Sequence, residues 1–433
     1  MILIPFACNN DILALGENKF GDIMVFPFET LEDLSIRLSS EHELFRKSVR
    51  EFVEKKIEPI AMEIDERDEI PRDLLEDMAK HGFFGIGIPE TYGGQGEDHI
   101  STVILVEEIS RASPAVSVVL GTNELFAIPI ILFGSEEQRR KYLPEIARGE
   151  KFGAFAVTEP CCGSDVAGIQ TKAERRGDKW VINGRKAFIS NADLADYILV
   201  LARTSPPPDK RSRHMGLTFF IVEKGVPGFR LDQRYDKMGL RGSHIYELVL
   251  EDVVVPDDNR VGAEDLGFLI AMETFDRTRI GIAAQAVGIA QALFEKTFKY
   301  VHQRYAFGYP LASFQAVQFE LVEILAKILA SRYMAYLAAK LADEGKREFT
   351  FVASLAKFFA SEAAEEIASR AINLHGGIGV VRETGIERFL RDVKIIQIYE
   401  GTNEIQRLVA YRQLIRILRE KNLIPEEVAR LVL

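Results

Sequence analysis

The stretch Lys179-Trp180-Val181-Ile182-Asn183-Gly184-Arg185-Lys186-Ala187-Phe188-Ile189-Ser190 sets aliphatic and aromatic residues on both sides of an Asn-Gly pair. Asn-Gly supplies the two positive φ values of a type I′ turn, so the stretch reads as a β-hairpin. Working outward, Tyr197–Leu201, Leu217–Val222 and Glu247–Val255 are further β-branched or aliphatic runs. Between two of them, Thr204 to Arg213 holds Pro206, Pro207 and Pro208 and reads as a loop. Residues 153–260 therefore read as an antiparallel β-domain of about a hundred residues, flanked by helices rather than alternating with them.

Both flanks are helical in pattern. Upstream, Ser40 and Glu43 make a capping box ahead of Phe45, Val49, Phe52 and Val53, which share one helical face. Pro71 opens a second short helix that Gly82 stops, and Ser135 with Gln138 caps another. Only short pieces around Phe84–Ile88 suggest strand. Downstream, Ala283 to Val301, Gln315 to Leu341 and Phe351 to Leu374 carry small and aliphatic residues at helical spacing. Helices of that length joined by short breaks suggest a four-helix bundle. The expected fold class is α+β multidomain: residues 34–152 an N-terminal all-α domain, 153–260 the middle β-domain, 261–433 the helical bundle. Residues 1–33 lack a clear period and read as an appendage, with Met24 an alternative start.

The 433 residues give a prior of about three domains. Apolar residues make up 47% and charged residues 27%, a soluble globular composition that excludes disordered and fibrous classes. The net charge of −11 opposes nucleic acid and anionic membrane as bulk partners, and an anionic ligand needs its own local cations. The most apolar run, Leu125 to Phe133, falls short of the ~20 residues of a bilayer span. The N-terminal residues carry no basic flank and no small-residue cleavage site, unlike a secretory signal. Cys8, Cys161 and Cys162 form no disulfide framework, which points to a reducing, cytoplasmic location. No CxxC, HExxH or HxxxH spacing is present, so no metal is expected. No strand–GxGxxG–helix unit and no GxxxxGK[ST] occurs, so a nucleotide cofactor would be held outside the Rossmann and P-loop schemes.

Four segments carry the chemistry. In Val157 to Asp165, Gly163 and Ser164 form a loop whose N–H groups and hydroxyl suit one ligand; a plain polar turn is the alternative. In Ile398 to Gln406, Glu400 stands between Tyr399 and Gly401. In an apolar mouth its pKa would rise toward that of a general base, whereas most glutamates are merely solvated. In Asn373 to Gly379, Gly376 and Gly377 allow close backbone approach to a ligand, or simply end a helix. In Arg304 to Gly308, with Gln315 downstream, Arg304 is a candidate phosphate partner or a solvated surface group.

Together, in this order, the segments resemble the acyl-CoA dehydrogenase family. The likeness runs from roughly residue 34 to 420. It includes Ile88-Pro89-Glu90 with Tyr92-Gly93-Gly94, Lys237-Met238-Gly239 with Arg241-Gly242-Ser243, and Glu251-Asp252-Val253 with Val255-Pro256. Phe275-Asp276-Arg277-Thr278-Arg279 and Arg391-Asp392 match as well. The medium- and short-chain straight-acyl branches look most similar.

The resemblance implies FAD between the β-domain and the bundle, and a homotetramer in which one subunit completes its neighbour's FAD site. It makes Glu400 the base that takes the α-proton of an acyl-CoA while a hydride leaves for flavin N5. The thioester oxygen would be polarised by the Glu400 N–H and a flavin ribityl hydroxyl. Electrons would pass to electron-transferring flavoprotein. Phe155, Val157, Thr158, Gly163 and Ser164 match the first flavin strand, and Phe188, Ile189 and Ser190 the segment beside the ring. Arg304, Phe307, Gln315, Asn373, Gly376, Gly377, Thr402 and Glu404 match further FAD positions. Ser164, Asp276, Thr278, Arg279, Tyr399, Gly401 and Arg412 match acyl-CoA contacts. Arg279, Arg304 and Arg412 would be the local cations for two polyanionic ligands.

There are departures. Cys162 stands where a smaller or polar residue is usual, and Asn373 replaces a usual Gln. Thr278 occupies the position where the isovaleryl and long-chain branches carry their base, which strengthens Glu400. An oxidase using O2 and a non-catalytic binding relative are the competing expectations. Phe126, Ile128 and Ile131 are expected to shape the acyl-tail pocket.

Overall fold

The computed structural model describes residues 38–425. The expected appendage 1–33 and the alternative start at Met24 lie outside the described residues.

Six α-helices among them precede the sheet: α1 (Ser40–Phe52), α2 (Ala61–Arg67), α3 (Arg72–Lys80), α4 (His99–Ala112), α5 (Pro114–Phe133) and α6 (Glu136–Ala147). Pro71 precedes α3, and left-handed Gly82 follows it with φ 73°. Before α6 the Ser135 hydroxyl accepts the Gln138 N–H, and the Gln138 side chain accepts the Ser135 N–H, as the capping-box spacing requires. Phe84–Ile88 forms no strand. Phe83–Gly85 is a 3₁₀ turn whose glycine-rich surroundings fold back, with Gln95 and Gly96 N–H groups on the Gly85 and Ile88 carbonyls. The apolar run of α5 is longer than Leu125 to Phe133: the 20-residue helix reaches a mean hydropathy of 1.9, and 61% of that window is buried within the fold.

The strands are β1 (Gly153–Ala156), β2 (Lys172–Arg176), β3 (Lys179–Ser190), β4 (Tyr197–Arg203), β5 (Leu217–Glu223), β6 (Phe229–Tyr235), β7 (Ile245–Pro256) and β8 (Arg260–Val261). They form one sheet in the order β6-β7-β3-β2-β4-β5-β8, with β1 added against β4. Most neighbours are antiparallel. The sheet is mixed because β1 runs parallel to β4, from Gly153 opposite Tyr197 to Ala156 opposite Val200, and β2 touches β4 in parallel at Lys172 and Arg203.

The expected hairpin at Asn183-Gly184 is overturned. β3 runs straight through the pair, and the actual reversal precedes it, where Gly177 (φ 67°) joins β2 to β3. Asn183 instead serves a bulge on the partner strand. Asp252 takes a left-handed φ of 53°, its N–H donates to Asn183 Oδ1 at 2.8 Å, and Asn183 Nδ2 donates to Asp252 Oδ1 at 3.1 Å. Gly184 has no room for a side chain, since a Cβ there would lie 2.4 Å from Thr171 Oγ1. A second bulge falls on β3 itself at Phe188, with φ 57°. Pairs before the first bulge and after the second share one register, while Gly184, Arg185 and Lys186 between them are displaced by one residue.

After the sheet come α7 (Gly267–Gln303), the short strands β9 (Tyr305–Ala306) and β10 (Tyr309–Pro310), α8 (Gln315–Asp343), α9 (Phe349–His375), α10 (Ile386–Ile396) and α11 (Asn403–Glu420). Ala283, Ala284 and Ala286 on α7 and Ala353, Ala356 and Ala364 on α9 are fully buried where these two helices pack. Small side chains let the axes approach closely. α7 also packs on α4, α5 and α8, and α9 carries α10 and α11. This arrangement sets the turn between α10 and α11 against α7.

Candidate active site

The turn after α10 reverses the chain through two left-handed residues, Glu400 at φ 52° and Gly401 at φ 87°. A glutamate in this region is strained and persists only where its surroundings hold it. Here two buried side chains do so. Gln406 Nε2 donates to the Glu400 and Gly401 carbonyls, each at 3.1 Å. Lys357 Nζ, reaching from α9, donates to the Gln397 carbonyl at 3.1 Å, and to the Gly401 carbonyl and Asn403 Oδ1 at 3.0 Å each. Thr402 then caps α11 by accepting the Ile405 N–H.

The Glu400 carboxylate accepts the Thr278 hydroxyl of α7 at 2.7 Å. Burial raises its pKa to about 7, against the opposing pull of the Thr278 hydrogen bond, Arg279 and Lys357. Burial likewise lowers Lys357 to about 7, and the Glu400 charge opposes that fall. Tyr399 donates its hydroxyl to Gln285, and burial lifts that phenol well above its ordinary value.

Arg279 is not an open cation. It is 4% exposed, with Nη1 at 3.0 Å from both Asp276 Oδ1 and Ser354 Oγ, and its field acts inward on Glu400. Asp276 also accepts the Thr350 hydroxyl at 3.0 Å. Arg304 and Arg412 are exposed.

Three groups of the expected residues emerge. Asp276, Thr278, Arg279, Tyr399, Glu400 and Gly401 lie together around the α7–α10 contact. Phe155, Val157, Thr158, Phe188, Ile189 and Ser190 lie on the β-domain. Lys186 Nζ donates to the Val157 carbonyl at 3.1 Å, and the Ala187 N–H donates to the Thr158 carbonyl at 2.9 Å, so β3 is tied to the loop after β1. The Phe188 bulge leaves its ring 54% exposed, stacked on Tyr235 at 4.8 Å between centroids. Phe155 meets Phe275 of α7 edge to face at 5.6 Å, which joins this group to the first. Gly163 and Ser164 are exposed.

The third group is at the far end of the bundle. Tyr300 stacks on His375 at 4.4 Å, so the end of α7, which Arg304 follows, meets the end of α9, which carries Asn373 and precedes Gly376 and Gly377. Phe307 is 92% exposed and Gln315 opens α8. Gly376 ends α9 with φ 64°, as the helix-stop reading expects. No hydrogen bond among the described residues links this group to the β-domain group. Thr402 and Glu404 sit at the start of α11.

The tail-pocket expectation is corrected in part. Ile128 and Ile131 line a cavity beside α5, but Phe126 is fully buried in the core, stacked on Tyr197 at 5.8 Å. Lys357, Gln406 and Gln285 had no assigned role in the sequence. A lysine inside the alanine-rich run of α9 was the available signal, because a charge on an apolar helical face demands partners.

Cys161 is exposed and Cys162 buried, their sulfurs 2.8 Å apart. Ligand atoms of Glu159, Cys161 and Cys162 lie within 4.8 Å of one another. The Glu159 carboxylate, however, already accepts Lys186 Nζ at 2.9 Å and the Gln170 and Thr171 N–H groups. Burial pushes the Cys162 thiol up to about 12. Brief alkylation of the native protein followed by peptide mapping is expected to mark Cys161 and leave Cys162 unmodified; equal labelling would contradict this.

The N-terminal, middle and C-terminal domain models of acyl-CoA dehydrogenase match residues 39–150, 154–253 and 265–415. The acyl-CoA dehydrogenase of Bacillus subtilis is 43% identical over 386 residues, covering 88% of this chain and 99% of that protein. The caffeyl-CoA reductase-Etf complex subunit CarC of Acetobacterium woodii is 41% identical over 380 residues, covering 87% and 99%. Butyryl-CoA dehydrogenase from Megasphaera elsdenii superposes with a TM-score of 0.84 at 40% identity, covering 88% and 100%. The chain belongs to the acyl-CoA dehydrogenase family, and it is accordingly a FAD-dependent oxidoreductase. Its residues fit that cofactor: the exposed Phe188 ring offers an aromatic face, and nothing lies within 4 Å of a Cβ built at Gly163, Gly376 or Gly377.

Proposed function

We propose that the protein converts an acyl-CoA thioester to its trans-2-enoyl-CoA, with Glu400 taking the α-proton, and passes the electrons to an electron-transferring flavoprotein. The observation that carries this is the Glu400 carboxyl, set in left-handed backbone, bound to Thr278 at 2.7 Å and raised to about 7. A base poised near the working pH combines adequate ionisation with adequate basicity. When bound, FAD supplies the acceptor for the departing hydride. Phe155, Val157, Thr158, Gly163, Phe188, Ile189 and Ser190 are proposed to hold it, with Arg304, Phe307, Gln315, Asn373, Gly376, Gly377, Thr402 and Glu404 completing the site, partly from a neighbouring subunit. Ser164, Asp276, Thr278, Arg279, Tyr399, Gly401 and Arg412 are proposed to position the acyl-CoA, with Arg279 acting through Asp276 and Glu400.

The Acetobacterium relative's name places it in an Etf complex, which supports the proposed electron acceptor. A homotetramer is part of the same proposal, and the exposed aromatics Tyr305, Tyr309 and Phe319 offer apolar surface for a contact between chains. A cytoplasmic location is part of the same reading.

Anaerobic addition of butyryl- or octanoyl-CoA is expected to bleach the flavin spectrum, and a FAD-loaded protein that never bleaches with any acyl length would overturn the proposal. The pH dependence has a definite sign. Proton abstraction needs ionised Glu400, so kcat/KM is expected to climb about tenfold per pH unit below about 7 and level off above it. A flat profile from about pH 5.5 to 8.5 would remove Glu400 from the role.

A further inference from the structure

Cys161 and Cys162 take no part in the chemistry proposed for Glu400, yet they sit inside a loop that it uses. Thr158 stands at the start of that loop and Gly163 and Ser164 at its end. Two backbone bonds close its turn: the Glu159 N–H donates to the Cys162 carbonyl at 3.1 Å, and the Cys162 N–H donates to the Glu159 carbonyl at 3.0 Å. The turn presents the two thiols unequally. Cys161 is exposed, Cys162 is 8% exposed, and their sulfurs are 2.8 Å apart. The Cys162 thiol donates to the Gly168 carbonyl at 3.0 Å. Nothing lies within 4 Å of a Cβ built at Gly163, so the space beside the pair is open.

Two thiols this close suit either a thiophilic metal ion or a bond to each other. The metal needs further ligands, since zinc takes four. The neighbouring carboxylates are already engaged. Glu159 accepts Lys186 Nζ at 2.9 Å and the Gln170 and Thr171 N–H groups, and Asp165 accepts Arg213 Nη2 at 2.7 Å. A bond between the sulfurs needs no further group. Adjacent Cα atoms are about 3.8 Å apart across a trans peptide, below the usual disulfide span of about 4.4–6.8 Å, so such a bond is strained and readily reduced. Labile bonds of this kind serve as reversible marks rather than permanent staples.

We propose that Cys161 and Cys162 are a reversible oxidation site, closed to a vicinal disulfide by hydrogen peroxide, and that closure disturbs the loop carrying Gly163 and Ser164 and slows turnover. The effect on turnover rests on the dehydrogenase reading above; the bond itself does not. The exposed Cys161 sulfur attacks one peroxide oxygen, the O–O bond breaks, and Cys161 becomes a sulfenic acid as water leaves. The Cys162 sulfur then attacks the Cys161 sulfur, the S–O bond breaks, and the Cys162 proton leaves with that oxygen as a second water. The two thiols lose two electrons and the peroxide gains them. Burial keeps Cys162 protonated toward reagents in solvent, but an adjacent partner acts at an effective concentration that no free reagent reaches. The field of Lys186 reaches both sulfurs, while those of Glu159 and Asp165 oppose it at Cys162. Once bonded, Cys162 has no proton left for the Gly168 carbonyl, and Gly163 and Ser164 follow it directly in the chain.

The test treats the FAD-loaded enzyme with hydrogen peroxide, desalts it, and compares it with untreated enzyme and with treated enzyme recovered in dithiothreitol. Residues 152–172 form one tryptic peptide that carries both cysteines. That peptide is expected to lose two hydrogens with peroxide and to regain them with dithiothreitol. kcat/KM for an acyl-CoA that bleaches the untreated flavin is expected to fall about fivefold, the scale of one lost hydrogen bond, and to recover with the thiols. Cys161→Ser is expected to show neither change. Cys162→Ser is expected to stop at the sulfenic acid, which dimedone traps. A wild-type peptide that keeps both thiols, or passes directly to sulfinic acid, would overturn the site. A disulfide that forms with kcat/KM unmoved would overturn its effect on the loop. If no acyl-CoA bleaches the untreated flavin, the dehydrogenase reading fails, while the peptide mass still decides the bond.

Discussion

Glu400→Gln is expected to keep FAD and bind acyl-CoA, yet to lose flavin bleaching by about 10⁴-fold, the upper end of the range for removing a general base. Glutamine keeps the volume and the Thr278 contact. It cannot take a proton, and the two cationic neighbours do not replace it: Lys357 is tied to two carbonyls and the Asn403 side chain, and Arg279 is paired with Asp276. Stopped-flow absorbance in the flavin band with a saturating acyl-CoA measures the step. A variant that bleaches within tenfold of wild type would place the base elsewhere.

Lys186→Met is expected to cost about 3–5 kcal/mol, the scale for removing one partner of a buried ion pair. Lys186 is 0% exposed and Glu159 4%, their charged atoms 2.9 Å apart. Lys186, together with the Thr171 and Gln170 N–H groups, holds Glu159 below the usual carboxylate range despite burial. Without Lys186 an unpaired carboxylate stays inside the loop that carries Thr158, Gly163 and Ser164. The protein should therefore purify depleted in FAD and unfold at lower urea concentration. The double variant Lys186→Met with Glu159→Gln should recover part of the loss, since no buried charge is then orphaned. A single variant as stable and as yellow as wild type would show that the pair is dispensable.

The α–β–α order was legible because its signals are local. Apolar spacing, the Ser135–Gln138 box and the proline-rich loop each act within a few residues. Glu400 was legible because a Tyr-Glu-Gly turn after a helix is a short pattern. Its supports were not. Lys357 lies far along the chain from the carbonyls it binds, and nothing in periodicity says where a lysine's ammonium ends. The same limit hid the internal use of Arg279. Charge counting suggested a free cation, whereas the fold sets Asp276 one helical turn away and closes both off from solvent. At Asn183-Gly184 the local signal was real but misdirected: both residues are needed for tight backbone geometry, supplied here by a partner bulge and a close approach to Thr171.

The two bulges carry a consequence for insertions and deletions. One extra residue on β7 and one on β3 cancel, so the strands leave the paired region in the register in which they entered. Deleting Phe188 alone, or Asp252 alone, would slide one strand past the other by one residue and turn its buried side chains outward. Deleting both would return an uninterrupted ladder of ordinary strand pairs, at the loss of the outward-facing aromatic. Chain length between these two strands is thus constrained in pairs, and a single-residue gap on one strand demands its counterpart on the other.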